Sequence, residues 1–245
     1  MALLRRINNI LRFGLGSEAL EEKRAHKSAA RRASFDSGEA WDRQAGFAVR
    51  RYESYEAYLK HQANKLHLVS DRLQETKDED VREFRRRFAE CSPLRDARSV
   101  LCLGARLGTE VEALHQLGYF AVGIDLNPGP DNRYVLTGDF HGLVFPDGAA
   151  DAVYTNALDH VFDLARVMAE IRRVLRPEGG LFVVDMLDGF QEGFTPGRYE
   201  SVHWESRDAL KAQIAALGGM TQIESRDLGH HRRDRWTQVV FRKSP

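Results

Sequence analysis

The sequence has little of the features that assign a protein to a class at once. Only two cysteines, Cys91 and Cys102, occur in 245 residues, which excludes a disulfide framework and zinc-type cysteine and histidine spacing. No apolar run approaches the length that spans a bilayer, and the amino terminus lacks the pattern of a secretion signal. We therefore expect a cytoplasmic protein with no metal, no transmembrane segment and no disulfide.

The chain also has no excess of charge of either sign. Its 36 basic and 36 acidic side chains give a formal net charge of zero, so nothing global points to nucleic acid or to an anionic surface. A hydrophobic fraction of 42% in 245 residues is enough for one large α/β domain and a smaller appendage.

Residues 1–45 form a basic segment with few large apolar residues, and we expect a partly disordered arm there. The first 13 residues differ, because their apolar side chains share one helical face opposite a basic and polar face. That helix is interpreted as docked on its own domain or on a partner. Peripheral contact with an anionic membrane is the alternative.

Residues 46–95 are predicted to form a helical appendage of two or three helices. Tyr58, Gln62 and Lys65 share one helical face, which indicates either a lid over a ligand or ordinary helix packing. The run Phe84-Arg-Arg-Arg-Phe88 is interpreted as the solvated face of a helix rather than a phosphate site.

From residue 96 to 245, short apolar strands alternate with amphipathic helices, which is typical of a doubly wound parallel α/β sheet. Strands are predicted near 98–104, 120–125, 133–137, 151–156 and 180–186, and helices at 108–117, 163–175 and 206–217. Two more β-type runs, Met220 to Arg226 and Arg235 to Arg242, flank a turn-rich polar segment and must pair antiparallel. His230 and His231 lie in that segment, and we interpret it as a solvated turn.

The motifs at the carboxyl ends of the predicted strands indicate a site for a nucleotide-shaped ligand. Ligands of open α/β sheets lie across these ends. Gly104 and Gly108 bracket a turn that opens a helix. Arg106 and Thr109 stand where a dinucleotide site needs glycine, which counts against NAD. Asp125 ends the next strand, where a carboxylate accepts both ribose hydroxyls. A turn-forming role for Asp125 is the alternative.

In combination these motifs resemble the class I S-adenosylmethionine-dependent methyltransferases of the type 11 group. The resemblance runs from about residue 99 to 185. It rests on Leu101-Cys-Leu-Gly-Ala-Arg-Leu-Gly108, Gly123-Ile-Asp-Leu-Asn-Pro128, Gly138-Asp-Phe140, Asp151-Ala-Val-Tyr-Thr-Asn156 and Val174-Leu-Arg-Pro-Glu-Gly-Gly180. It implies a Rossmann-like seven-stranded sheet in the order 3-2-1-4-5-7-6, with the last strand antiparallel.

The resemblance also implies a cofactor, S-adenosyl-L-methionine, and a set of residues that bind it. Gly104, Ala105 and Gly108 would border the methionine part, with Asp125 and the adjacent Leu126 at the ribose. Asp139 would meet the adenine amine, Phe140 would cover the ring, and Asn156 would lie beside the sulfonium. The family commonly has an acid at Cys102 and a glycine at Arg106; Arg106 can instead pair with the methionine carboxylate.

Methyl transfer needs alignment and exclusion of water more than acid or base catalysis, although a hydroxyl acceptor benefits from a base. His160, just beyond the fourth strand of the predicted sheet, is the leading candidate, with Asp159 beside it. The alternative for His160 is a structural histidine bound to the loop backbone. His203-Trp204 is interpreted either as a wall of the acceptor pocket or as packing.

We expect an enzyme that methylates oxygen on a small molecule or a sugar-containing intermediate in a single step. The alternatives are an RNA or protein methyltransferase, suggested by the basic arm, and a non-catalytic scaffold that keeps the fold. The sequence leaves the identity of the small-molecule or glycan acceptor and the oligomeric state open, because a fold and a cofactor do not choose a substrate.

Overall fold

The architecture consists of one large sheet, one small sheet and helices on both faces of the large one. The structure is a computed structural model that describes residues 22–23, 25–65, 73–129, 132–232 and 234–244. The strands are β1 Trp41–Gln44, β2 Phe47–Arg50, β3 Ser99–Leu103, β4 Phe120–Asp125, β5 Val135–Thr137, β6 Ala152–Thr155, β7 Leu181–Leu187, β8 Val202–Trp204, β9 Met220–His231 and β10 Asp234–Lys243.

In the described ranges, the helices with defined bounds are α1 over residues 25–36, α2 Tyr55–Ala63, α3 Lys77–Glu90, α4 Thr109–Gln116, α5 Leu164–Val174 and α6 Arg207–Gly218. Ser54, Asp163 and Ser206 cap α2, α5 and α6, each side chain accepting a hydrogen bond from a main-chain N–H three residues on. Short 3-10 helices cover Ser92–Asp96 and Leu158–His160.

The large sheet has the order β5-β4-β3-β6-β7-β10-β9. Strands β3 to β7 run parallel, while β10 pairs antiparallel with both β7 and β9. In the order of the domain's own strands this is 3-2-1-4-5-7-6, so the predicted doubly wound fold is confirmed. The chain leaves the central strand β3 in opposite directions toward β4 and β6, and a crevice opens at that point.

Alternation along the strands divides the core into two layers. On β3, Leu101 and Leu103 face the layer that includes α5 and α6, whereas Val100 and Cys102 face the layer of α3 and α4. The apolar residues of α5 recur at helical spacing and are buried: Val167, Met168, Ile171 and Val174. Each helix therefore buries one face against the sheet.

A buried ion pair joins α3 to the sheet. Arg87 and Asp185 have side chains 2% and 0% exposed, and Arg87 Nη1 donates to Asp185 Oδ2 over 2.9 Å. Tyr154 Oη and Gln238 Nε2 also donate to the Asp185 carboxylate, each over 2.9 Å, and Arg87 Nε donates to Glu83. The two charges are fully hydrogen-bonded, which is the condition under which a buried pair is tolerated.

The structure corrects the prediction for the region around residue 45. The predicted boundary between arm and helical appendage falls inside a hairpin, since β1 pairs antiparallel with β2, and β2 pairs with β8 to complete a three-stranded sheet. Phe35 and Trp41 are buried there against each other and near Phe190. The long-range partner β8 fixes this strand, and local propensity cannot reveal such a partner. The amphipathic stretch of residues 1–13 lies outside the described residues.

A second correction concerns His230 and His231, which belong to strand β9 and not to a solvated turn. They pair with Arg235 and Asp234 across the hairpin, so the strands extend through most of the predicted polar connection. His231 Nε2 also lies 3.1 Å from Asp80 Oδ1 of α3. Pairing along β10 satisfies the backbone of this polar sequence, which periodicity alone did not indicate.

Both cysteines are buried and unpaired. Burial raises the pKa of the Cys91 thiol to about 11 and raises the pKa of Cys102 well above its ordinary value. Across the described ranges, we find no helix with the length and apolar character needed to cross a bilayer.

Candidate active site

A glycine turn joins β3 to α4 and forms the floor of the crevice. Gly104 has φ +72°, and a Cβ added there would lie 2.5 Å from the Cβ of Ala157. Gly108, at φ +79°, precedes α4, and its added Cβ would lie 3.0 Å from Val135 Cγ2. Both positions therefore require glycine. Arg106 also adopts a left-handed conformation, with φ +43°, although it carries a side chain.

Asp125 at the end of β4 is held by the backbone around it. Its Oδ2 accepts from the N–H of Arg106 over 2.9 Å, and its Oδ1 accepts from the N–H of Asn127 over 2.8 Å. The bond from Asn127 is the contact expected if Asp125 forms a turn. The bond from Arg106 ties the carboxylate to the glycine turn. Asn127 Nδ2 donates to the carbonyl of Ala63 over 2.9 Å, which joins this loop to α2.

Asp139 follows β5 and is engaged on both oxygens. Oδ1 accepts from the N–H and from Nδ1 of His141, at 2.9 and 2.8 Å, and Oδ2 accepts from the hydroxyl of Tyr55. Burial raises the pKa of Asp139, but the hydrogen bonds from His141 and Tyr55 outweigh burial and lower it to about 2. The carboxylate is therefore ionised at neutral pH.

His141 has a structural role in these contacts. Its Nε2 accepts from the N–H groups of Phe162 and Asp163, at 3.0 and 3.2 Å, so Nδ1 carries the proton that it donates to Asp139. The ring also packs edge-on against Tyr55 and near the stacked ring of Phe140. His141 thus fixes the Asp139 and Phe140 segment.

Two adjoining cavities occupy the crevice. The first, here called the nucleoside cavity, has about 470 Å³ of empty space. It is lined by Tyr58, Gln62, Lys65, Gly104, Arg106, Asp125, Leu126, Asn127, Phe140, Ala157 and His160. The three residues predicted to share one helical face thus line the same cavity as several predicted ligand residues.

The second cavity, here called the acceptor cavity, has about 950 Å³ of empty space and shares four lining residues with the first. The shared residues are Gly104, Arg106, Ala157 and His160. Ala105, Asn156 and Asp159 line it as well, with Phe84 and Trp236 as aromatic walls. Of the eleven residues predicted for the site, nine line one cavity or both, whereas Gly108 and Asp139 line neither.

His160 joins the segment that follows α2 to the acceptor cavity. Its Nδ1 lies 2.9 Å from the carbonyl oxygen of Tyr199 and donates to it, which leaves Nε2 as an acceptor for Lys65 Nζ at 2.6 Å. Burial and the nearby cations of Lys65 and Arg106 lower the pKa of His160 well below its ordinary value. His160 is therefore neutral, and its lone pair is already engaged.

Asp159 presents a buried carboxylate to the acceptor cavity. The residue is 5% exposed, and its Oδ1 lies 3.8 Å from Nε2 of the neutral His160. Burial and the neighbouring charge of Glu200 raise the pKa of Asp159 to about 7, although Lys65 acts in the opposite direction. A carboxylate with this pKa can hold or release a proton near neutral pH.

Glu110 is a buried acid that sequence reasoning missed. It lies in the first turn of α4, is 4% exposed, and accepts from Thr109 Oγ1 over 3.0 Å. Burial raises the pKa of Glu110 to about 7, and the residue lines the acceptor cavity together with Arg106. An acid in the first turn of a helix is so common that its position in the sequence carried no signal.

His203 and Trp204 lie away from both cavities, in β8. Trp204 Nε1 donates to the carbonyl of Leu187 over 2.9 Å, and His203 stacks between Trp204 and Phe194. Their environment favours the packing interpretation. In the described ranges, no cluster of three or more histidine, cysteine, aspartate or glutamate residues is placed to hold a metal ion.

Comparison with known proteins finds similarity over the segment that forms this crevice. The family model described as methyltransferase domain, of the type 11 group, matches residues 101–183. The sterol 24-C-methyltransferase of Gibberella zeae is 32% identical over 116 residues, which cover 47% of this chain. The chain spans 28% of the length of that relative.

Solved structures share the fold at low identity. A 1,6-didemethyltoxoflavin-N1-methyltransferase of Burkholderia thailandensis, with S-adenosylhomocysteine bound, is 16% identical, with a TM-score of 0.65 over 84% of this chain and 99% of its own. An S-adenosylmethionine-dependent methyltransferase of Aquifex aeolicus is 13% identical, with a TM-score of 0.56 over 71% of this chain and 98% of its own.

The fold also occurs in the [4+2]-cyclase SpnF, which is 16% identical, with a TM-score of 0.52 over 65% of this chain and 79% of its own. The fold by itself therefore does not define the reaction. The family model adds a match of sequence to this likeness of fold. Its matched residues, 101–183, run from β3 into β7 and include the glycine turn, Asp125 and Asp139. Residues 101–183 thus match a methyltransferase-domain model of the type 11 group, and the chain shares its fold with S-adenosylmethionine-dependent methyltransferases.

Proposed function

We propose that the nucleoside cavity binds the adenosine part of S-adenosylmethionine and that the acceptor cavity receives its methionine end and the methyl acceptor. The cavities fit such a ligand, because Gly104 leaves the space that a Cβ would fill and Asp125 lines the wall beside Phe140. When bound, the cofactor supplies an electrophilic methyl group on a sulfonium. In this proposal Asp125 accepts from the ribose hydroxyls, and Phe140 packs against the adenine.

Asp139 is proposed to accept a hydrogen bond from the adenine amine at the rim of the nucleoside cavity. Its Oδ2 already accepts from Tyr55 of α2, so the same oxygen would serve both the lid and the adenine amine. A carboxylate oxygen has lone pairs for two such donors. Asn156 and Ala157 would lie beside the reacting methyl group, because they border the junction of the two cavities.

The acceptor is proposed to be a hydroxyl group on a small molecule or a sugar-containing compound. The observation that carries this proposal is the buried Asp159 carboxylate in the acceptor cavity, with a pKa of about 7. It would take the proton of the hydroxyl as the oxygen–methyl bond forms and the methyl–sulfur bond of the sulfonium breaks, which would release S-adenosylhomocysteine. A cavity of about 950 Å³ with aromatic walls is of the size that small-molecule ligands occupy.

Neutral His160 has a different role in this proposal from the base first considered. Its Nε2 is engaged by Lys65, so the pair fixes the edge of the acceptor cavity next to Asp159. His160 and Lys65 are therefore positioning residues. The named relatives act on a sterol carbon and on a ring nitrogen, so they support a small-molecule acceptor without selecting oxygen.

The reaction is tested by incubating the chain with S-adenosylmethionine and a panel of phenols, polyols and sugar conjugates, and by measuring S-adenosylhomocysteine and methylated products. We expect O-methylated products. Methylation confined to amines, carbon acids, protein or RNA would contradict the hydroxyl acceptor. Failure to bind either form of the cofactor in a calorimetric titration would leave the scaffold alternative.

Substituting Asp159→Asn is expected to slow transfer to the hydroxyl acceptor by about 100-fold or more, because the amide cannot take the proton. In the parent chain the rate should rise with pH around the pKa of about 7, since only the carboxylate acts as a base. The pH profile of product formation measures both effects.

The control for Asp159 is Glu200→Gln, which removes the neighbouring negative charge and should move the inflection of the profile to lower pH. Affinity for S-adenosylhomocysteine should stay unchanged in Asp159→Asn. A variant that keeps the parent rate and profile would show that another group, or none, accepts the proton.

Arg106 is proposed to pair with the carboxylate of the methionine part, since its side chain lines both cavities. Arg106→Gly should weaken binding of S-adenosylhomocysteine about tenfold or more while changing the free energy of unfolding by no more than about 1 kcal/mol. Glycine is compatible with φ +43°, so the turn is kept.

Arg106→Lys, which retains the charge, is the matched control in the same calorimetric titration. Equal affinity in Arg106→Gly would exclude the ion pair.

A further inference from the structure

A third cavity lies outside the methyltransferase crevice and shares no lining residue with the two cavities there. It has about 750 Å³ of empty space between α1, the small sheet and residues 196–198. Phe35 and Trp41 form an apolar wall and are themselves buried. Four cationic residues also line it: Lys27, Arg31, Arg50 and Arg198.

These cations are held in place mainly by groups that carry no negative charge. Arg50 Nε donates to the carbonyl of Glu200 over 2.8 Å, Nη2 donates to the carbonyl of Gly197 over 2.5 Å, and the guanidinium lies over Trp41 at 4.5 Å. Its burial lowers the pKa of Arg50. The Arg198 guanidinium lies over Tyr199 at 5.7 Å.

Arg31 lies over the ring of Phe194 at 5.2 Å, and its one carboxylate contact is with Glu200 Oε1 at 3.7 Å. Glu200 also accepts from the N–H of Gly197 through Oε2. For Lys27 and Arg198 the described residues provide no ion pair within 4.0 Å. Four positive charges therefore line one cavity, and among the described residues a single carboxylate, that of Glu200, pairs with one of them.

The arginines next to Arg31 and Arg50 in the sequence, by contrast, are paired with carboxylates. Arg32, next to Arg31 on α1, pairs with Asp36 at 3.0 Å, and Arg51, next to Arg50, pairs with Asp42 at 2.6 Å. The formal charge of the whole chain is zero, so the unbalanced cavity is a local feature. Like charges that face one cavity repel each other, and a bound anion removes that repulsion.

We propose that this cavity binds a phosphate group. Guanidinium groups match phosphate oxygens with paired N–H donors, and a lysine adds a compact charge from the opposite rim. Arg50 is preorganised by its carbonyl contacts and by Trp41, and the more exposed Lys27, Arg31 and Arg198 can close on the ligand. The buried aromatic wall limits the ligand to a phosphate with a small apolar neighbour, such as a phosphate monoester or a lipid headgroup.

The test compares two double variants that each remove two positive charges. Arg31→Gln with Arg198→Gln removes charge from the cavity, whereas Arg32→Gln with Arg51→Gln removes it from paired residues next to the cavity. Each protein is titrated by calorimetry with inorganic phosphate and with glycerol phosphate. It is also sedimented with vesicles of phosphatidylcholine, with and without phosphatidic acid.

The parent and the control should bind phosphate alike, and the cavity variant should bind about tenfold more weakly or not at all. Binding of the soluble phosphates assigns a small phosphorylated ligand, whereas binding only to vesicles that contain phosphatidic acid assigns a headgroup. Titration with S-adenosylhomocysteine should give one affinity for all three proteins, which separates this proposal from the methyltransferase function.

Several results would overturn the proposal. These are no binding of phosphate in either form by the parent chain, an equal loss in both double variants, and binding confined to long RNA. Thermal melting checks that each variant folds. If the cavity variant does not fold, Lys27→Gln, on the exposed rim, must weaken phosphate binding for the proposal to stand.

Discussion

Replacing Asp125 with alanine is expected to reduce the affinity for S-adenosylhomocysteine by about 100-fold or more, because two ribose hydroxyls would lose a charged acceptor. The carboxylate also accepts from the N–H groups of Arg106 and Asn127, so the variant loses part of the order of the glycine turn. Both effects act in the same direction. Calorimetric titration with S-adenosylhomocysteine measures the loss.

Two further variants separate the effects of Asp125. Asp125→Asn keeps one oxygen for the backbone and loses the charge, so an intermediate affinity is expected. Asp147→Ala removes an aspartate whose side chain is 83% exposed and outside the crevice, and it should leave binding unchanged. If Asp125→Ala folds and binds as tightly as the parent, the ribose lies elsewhere.

The largest expected effect on stability comes from Arg87→Met, which should lower the free energy of unfolding by about 3–5 kcal/mol. The substitution leaves Asp185 as a charge in the core, at 0% exposure, without its cationic partner. It also removes the contact that ties α3 to the middle of the large sheet. Urea unfolding followed by circular dichroism gives the difference.

Arg86→Met is the matched control, because Arg86 is adjacent on the same helix and its pairs with Glu83 and Glu90 are at the surface. Exposed ion pairs contribute about 1 kcal/mol or less, so the change should be small. Equal losses of unfolding free energy in the two variants would show that the buried pair contributes no more to stability than the exposed pairs. A stable Arg87→Met protein would show that the methionine packs as well as the ion pair.

The large sheet was predictable because its signals are local. Strand β4 was predicted at residues 120–125, where the structure has it, and α5 and α6 begin and end within one residue of the predicted bounds. Apolar strands between amphipathic helices can form few other arrangements, since crossovers are right-handed. The antiparallel position of β10 followed from the absence of a helix between the last two strands.

The small sheet was not predictable in the same way. Strand β2 pairs with β8, about 150 residues further along the chain, and the two are short segments without a clear alternation. The prediction of helix at Phe47 was wrong for that reason. In β9 the polar composition around His230 concealed a strand that is stabilised mainly by its partner.

The positions of the motifs in the sequence predicted which residues line the crevice. They did not predict the protonation states of those residues. Gly104, Asp125, Phe140 and Asn156 line the crevice as the resemblance implies, because the sheet brings the ends of its strands together. The contact between Lys65 and His160 spans 95 residues of sequence and depends on how α2 lies across the crevice. The low pKa of His160 follows first from burial and then from Lys65 and Arg106, so its neutral state could not be read from the sequence.

The two buried thiols have a practical consequence for testing whether α2 moves relative to the crevice. Thiolates react with maleimides and iodoacetamides, and the raised pKa values of Cys91 and Cys102 keep both sulfurs protonated and shielded from reagent. A cysteine introduced at Lys60, on the exposed side of α2, would therefore be labelled selectively. A fluorophore attached there reports directly on the motion of this helix, without any native cysteine having to be replaced first.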